Sequence, residues 1–247
     1  MKKFKYVLLG AVLGIALYIG IGYGMDKLPM VLRSIASSQD VTSGASERPS
    51  DTEMYGDFGD TSPEEAAALE DLSASGKINT TLDIDPKDSE WMAKAVEMTQ
   101  AVSGDTYVQL DSGVLTVNQI NNFLKTMPFE STYVDSNNQF LYYNNTKNPE
   151  DMFVPRTIEE VGDPLAGSHP DMVHNYVAWV VHQLRTGAEE VIPVAMPTNS
   201  DDEFVVHYYR GMYDENGDYQ GINQYVVDIK PIVDFYLEKS NQSLVPN

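Results

Sequence analysis

Three of the chain's four histidines fall in one run, "GSHPDMVHNYVAWVVHQLRTG" (167–187), as His169, His174 and His182; the fourth is His207. Imidazole titrates near neutral pH and ligates metals readily, so the cluster raises metal binding, haem ligation and proton transfer together. A helical zinc site sets two histidines four residues apart on one face. Here they are separated by five and eight positions, which does not read as a zinc helix. At about 100° per residue, Val173, Tyr176, Val177, Val180, Val181 and Leu184 form one apolar stripe. His174 lies at the edge of this stripe and His182 roughly opposite. His182 is therefore expected on a solvated surface and His169 as a cap or tie of the loop before the helix. His174 reads as a satisfied structural or surface histidine, with a hydrogen bond to a pocket ligand, or axial ligation of haem, as the alternatives. His207 alternates with Val206 and Tyr208 in a strand-like run, so its face is not assigned, and a surface role is expected.

Other chemistry finds little support. "DENGDY" (214–219) offers Asp214, Asn216 and Asp218 as in a calcium loop, but Tyr225 stands where the bidentate Glu is required. The absence of cysteine excludes disulfides, iron–sulfur clusters, thiolate zinc and cysteine nucleophiles. No GxSxG, P-loop or GxGxxG occurs. The net charge of −21 argues against a phosphate-backbone partner, and no basic patch appears. Carboxylates crowd residues 37–112, about 17 acidic against 4 basic, where nothing would hold a catalytic pair in place. No enzyme activity, and no metal, is expected.

The elements that must position the histidines start near Tyr107. "TVNQINNFLKTM" (116–127) has helical apolar spacing, with Thr116 as cap and Pro128 as stop. "STYVDSNNQFLYYNN" (131–145) predicts two strands around Asp135-Ser136-Asn137-Asn138. Residues 149–168 are punctuated by Pro and Gly and read as turns. The histidine run follows as the long helix, with Pro170 in its first turn and Gly187 at its end. Three strand-like runs close the domain: 189–197, 202–214 and 219–229. Asn216-Gly217 predicts a hairpin between the last two. Pro193 marks the first as an edge strand or a bulge. The order suggests an α+β fold, a five-stranded antiparallel sheet with helices on one face.

Upstream, "KKFK" (2–5) precedes about 20 residues without charge (6–25), long enough for a transmembrane helix. The lysines favour a cytoplasmic N-terminus with the remainder outside. A cleaved signal peptide is the alternative. The expected organisation is a basic cytoplasmic tip (1–5), a membrane anchor (6–25), a largely disordered acidic linker with short helices at 62–72 and 88–102 (26–104), a folded domain (105–238) and a tail (239–247).

Several runs resemble PAS domains. "MPFESTYVDSNNQFLYYNN" is similar to their opening strand pair, and "YYRGMYDENGDYQGINQYVVDI" to their closing strands. "FVPRTIEEVGDPLAGSHPDMVHNYVAWVVHQLRTG" resembles a subgroup seen in bacterial hemerythrin-like/PAS proteins, whose "CHP" is here Ser168-His169-Pro170. The similarity spans roughly residues 113–236. No hemerythrin-like bundle is present, so di-iron chemistry does not carry over. The resemblance implies a sensor or binding module, without an output domain of its own, that takes a small ligand between sheet and helices. Candidate lining residues by this resemblance are Tyr133, Tyr143, Met152, Phe153, His174, Val177, Val181, Met196, His207, Tyr209, Arg210 and Tyr225. Packing of an occluded core is the alternative for the apolar ones. The implied partners are a small molecule, a membrane protein or a second copy of the chain. No cofactor is expected, and a haem-binding or redox surface protein using His174 is the alternative.

Overall fold

The computed structural model describes residues 61–75, 82–196 and 198–245. The anchor expected over 6–25 lies outside the described residues, as does most of the linker. Among the described residues no helix is long and apolar enough to cross a membrane.

In chain order the elements are α1 (Pro63–Leu69), α2 (Trp91–Thr99), β1 (Tyr107–Leu110), β2 (Gly113–Thr116), α3 (Val117–Lys125), β3 (Glu130–Asp135) and β4 (Phe140–Tyr143). They continue with α4 (Leu165–Ser168), α5 (His174–Thr186), β5 (Val191–Ala195), β6 (Val205–Tyr213), β7 (Tyr219–Asp228) and α6 (Lys230–Ser240). Strands β3 to β7 form one antiparallel sheet in the order β4-β3-β7-β6-β5; β1 and β2 form a separate hairpin. Pro193, which has no N–H to donate, sits in the edge strand β5, as expected.

Local chemistry explains the boundaries. Thr116 accepts from the Gln119 N–H while the Gln119 side chain accepts from Thr116 N–H, a reciprocal cap that starts α3. The β3–β4 turn closes on Asp135, whose Oδ1 accepts the N–H groups of Asn137 and Gln139, each at 2.9 Å. Asn138 there takes the left-handed conformation at φ 62°, which Asn tolerates. In the β6–β7 hairpin Gly217 has φ 86° and the Asp214 carboxylate accepts the N–H of Asn216 and of Asp218.

The main core lies between α5 and one face of the sheet. It joins Ala178, Trp179, Val180, Val181 and Leu184 to Val134, Ile192, Val194 and Ile222. Ala66 and Leu72 complete the same cluster. The helix expected at 62–72 is present, and it packs on α5. The strip after it is stitched to the domain: Asn138 Nδ2 donates to the Asp71 carbonyl (2.9 Å), Asn137 Nδ2 to Ala74 O (3.2 Å), and Ala166 N–H to Leu72 O (2.8 Å). A second cluster seats α2 through Trp91 and Ala95 on Phe140 and Val161. The folded unit therefore begins well before residue 105, because acidic residues leave enough Ala, Leu and Trp on one side of each short helix to bury. At the other end, where no element was expected after the strand run 219–229 and a tail from 239, α6 is an 11-residue helix with Ile232, Phe235 and Tyr236 exposed.

Helix α5 also departs from the single-stripe expectation. It starts at His174, after a 3-10 turn at Asp171–Val173, and buries Ala178, Trp179 and Gln183 besides the expected Val180, Val181 and Leu184, while Val173, Tyr176 and Val177 are only half-buried. With α1 on one side and the sheet on the other, it is enclosed on more than one face. His182 is accordingly not a solvated surface residue: its side chain is mostly buried and Nδ1 lies 3.3 Å from the Glu70 carboxylate.

Candidate ligand site

Side chains alternate between the two faces along each strand, so the pairing register sorts the candidates. His207 pairs with Val194 and Val226, and Tyr209 with Ile192 and Gln224. Gln224 pairs with Thr132, and Thr132 with Tyr143. These residues share the inner, helix-covered face with Val134 and Ile222. One position along, Tyr133 pairs with Asn223, Arg210 with Asn223 and Val191, and Tyr225 with Ser131 and Tyr208. Tyr133, Arg210 and Tyr225 therefore belong to the outer face, away from the enclosed side. There Tyr208 and Tyr225 stack at 5.0 Å and 8°, Tyr133 Oη donates to Gln220 O, and Arg210 reaches Glu190 at 2.6 Å.

The other candidates divide by position. Val177 and Val181 belong to the core cluster between α5 and the sheet, with Tyr209 packed against it. Tyr143 joins the Phe140 cluster, and Met152 is buried. Phe153 donates its N–H to Glu130 (2.8 Å) and carries the Lys147 ammonium 4.4 Å above its ring. Met196, just after β5, donates its N–H to Val205 O. His174 stands apart: it lines a cleft of about 270 Å³ between α1 and α5, with Ala67, Glu70, Leu72, Asn175 and Ala178. Its Nε2 is 3.0 Å from the His169 carbonyl, a donor to an oxygen rather than a lone pair free for iron. The residues present thus do not fit the haem alternative, and no group of three or more metal-ligating side chains occurs among the described residues.

His207 is the main correction. It is 8% exposed, on the inner face, not at the surface. Its Nδ1 faces the Gln224 amide nitrogen at 3.2 Å and the Tyr209 hydroxyl at 3.3 Å. With the Gln224 amide donating, the ring proton sits on Nε2, which is buried with no acceptor. Burial foremost, helped by the nearby Arg156 and His169, pushes the His207 pKa down to about 4.

The lesser, electrostatic contribution comes first from Arg156, a residue whose enclosure the sequence did not reveal. Arg156, in the loop between two 3-10 turns, is 7% exposed. Its guanidinium lies 5.2 Å from the centre of the Phe140 ring, and its Nε has no acceptor. It also weighs on His169, whose pKa falls to about 4, chiefly through burial of the ring. His169 itself ties the loop before α5, with Nδ1–H donating to Leu165 O at 2.9 Å, as expected. The inner face's other buried charge, Glu130, is fully engaged: it accepts the N–H groups of Phe153 and Val154 and pairs with Lys147 at 3.3 Å. Arg156, Gln224 and His169 were legible only as the Arg and His of the quoted run and a Gln among tyrosines; nothing in their spacing marked them as enclosed.

The arrangement sets the Tyr209 hydroxyl beside the His207 imidazole at 3.3 Å, within an enclosed face. It can present hydrogen-bond donors in an enclosed, partly aromatic setting. Residues 120–230 match the family model described as PAS domain. Among solved structures, the C-terminal domain of a protein from Streptococcus mutans is 32% identical, covering 53% of this chain and 98% of that one at a TM-score of 0.49. The PAS domain of BvgS from Bordetella pertussis is 15% identical, over 51% of this chain and 96% of that one, at a TM-score of 0.31. VqmA of Vibrio cholera, solved with ligand and DNA, is 20% identical, over 54% and 61%, at a TM-score of 0.34. No curated protein matches the chain. The part of the chain that the match shows to be PAS-like is therefore residues 120–230, a little under half of its length.

Proposed function

We propose that this chain is a sensor or binding module, not an enzyme, whose PAS domain takes a small molecule between the inner sheet face and the helices. The observation that carries the reading is the polar content of that face. A purely structural core would be apolar there, whereas His207, Gln224 and Arg156 are each at least nine-tenths buried and two of them hold unused donors. A small molecule released from heat-denatured protein, at a molar ratio near one, is the expected result. Repeated preparations that release nothing, and a protein that binds nothing from an extract, would contradict it.

The same proposal places the module outside the membrane on a single N-terminal anchor. Its support is the sequence of residues 2–25, lysines followed by an uncharged span, together with the acidic stretch after it. A signal would then pass to a membrane protein or a second copy. Protease added to intact cells should remove the domain; survival of the domain while a known external protein is cut would overturn this placement.

A further inference from the structure

The interior described above holds a buried cation, Arg156. Arg156 brings a guanidinium, the side-chain group that carries five N–H donors and no acceptor. It makes no ion pair and no hydrogen bond among the described residues, and its cation rests on an aromatic face. The inner-face carboxylate of Glu130 is already claimed by two N–H groups and Lys147. Native proteins seldom leave a buried cation without a counter-charge, because desolvation is costly unless a partner offsets it. His207 adds a second unmet demand of the same sign, an N–H on Nε2 with no acceptor. Its other nitrogen is held by Gln224 and Tyr209, so the ring cannot turn its proton elsewhere without breaking those bonds.

From this geometry we infer that the molecule taken up by the PAS interior is a small monocarboxylate, its carboxylate meeting the Arg156 guanidinium and the His207 Nε2–H. This rests on the proposed ligand-binding function and names the chemistry of the ligand. One fixed positive charge matches one negative charge, and a planar guanidinium matches a planar carboxylate in two parallel bonds. Phe140 and Tyr143, in contact at 6.1 Å beside the guanidinium, give the rest of the molecule an apolar, aromatic wall. The guanidinium is the specificity element: a neutral analogue leaves it unpaired and is refused.

The test uses the full chain, its Arg156→Met variant and its Arg156→Lys variant, followed by thermal unfolding and calorimetry. The probes are sodium benzoate, benzamide as the neutral isostere, and sodium chloride at equal ionic strength. Benzoate should raise the unfolding temperature of the natural chain, with benzamide and chloride at least tenfold weaker. Arg156→Met should lose the response to benzoate, and Arg156→Lys should keep part of it. Without ligand, Arg156→Met should melt no lower than the natural chain, since it removes an unpaired buried cation; a structural arginine would show the opposite. Equal responses to benzoate and benzamide, or a response matched by chloride, would overturn the inference. So would an Arg156→Met protein that unfolds several degrees earlier or fails to fold. A co-purifying neutral compound would overturn the carboxylate assignment while leaving the binding function standing; an interior that takes up nothing at all would remove both.

Discussion

Arg185 on α5 grips Glu70, just after α1, with its Nε 3.2 and 2.9 Å from the two carboxylate oxygens. The same guanidinium donates to Ser136 O at 2.9 Å and to Asn138 Oδ1 at 3.1 Å, and lies 4.5 Å over the Tyr219 ring. One arginine thus ties the upstream helix, the β3–β4 turn and the start of β7 together. Glu70 is 4% exposed and Arg185 30%, so the pair is shielded on one side and partly solvated on the other. Glu70→Ala should therefore cost about 2 kcal/mol, below the range of a fully buried pair. Denaturant midpoints at constant m-value would measure it, and limited proteolysis should open the chain near residues 61–75 first. An unchanged midpoint would mean that α1 rests on the domain without stabilising it.

A second prediction concerns Gly221, in the central strand β7 opposite Asp135. Its φ is +127°, and a Cβ there would lie 2.1 Å from the Val134 carbonyl oxygen. Neither the backbone conformation nor the space suits an L side chain. Gly221→Ala should destabilise the domain by roughly 3 kcal/mol or prevent folding, read as loss of the cooperative unfolding transition. A variant as stable as the natural chain would show that β3 and β7 are less closely apposed than described.

Gly162 has a comparable role at the edge. A Cβ at this position, where φ is +107°, would lie 2.3 Å from Trp91 Cγ. Gly162→Ala should lift Trp91 out of its seat and release α2 while leaving the sheet intact. Trp91 and Trp179 are the two tryptophans and both are buried, so the emission should shift to the red by one indole's contribution. Unshifted fluorescence would argue that α2 is not held by this contact.

How far the sequence foretold these relationships depends on how local their causes are. The Thr116 cap, the Asn216-Gly217 hairpin and the Pro193 edge strand were all readable, because each is decided within a few residues. The resemblance to PAS domains supplied the sheet order that such signals cannot. The face of His207 was not readable: Val206, His207 and Tyr208 are all bulky, both faces of β6 are at least partly covered, and alternation lost its contrast. Tyr133, Arg210 and Tyr225 were assigned to the enclosed side by resemblance, and one step of register separates them from it. The docking of α1 was hidden because its partners, Arg185 and His182, lie more than a hundred residues away. Arg156 sits among prolines and acidic residues with no periodicity, so nothing local distinguished it from a surface arginine.

The buried histidines give a pH prediction. His169 and His207 have pKa values near 4 in the folded chain, against an ordinary value of 6.5. The unfolded chain therefore binds more protons than the folded one between those limits, and stability rises with pH across them. It should be complete above about 6.5 and fall as the pH drops toward 4, with His207 contributing up to about 3 kcal/mol and the less buried His169 a smaller share. Denaturation midpoints measured from pH 7.5 to 4 should show this slope, and His207→Gln should flatten it. A slope unchanged in that variant would mean that His207 is not held neutral.

The central claim, that the enclosed face of this PAS domain holds a small molecule, is tested most directly by a native mass spectrum of the purified full chain set against a denaturing spectrum of the same sample. A discrete mass excess under native conditions that disappears on denaturation, and is reduced in Arg156→Met, is the result expected. Coincident masses in both spectra, persisting after incubation with a cell extract, would contradict the account.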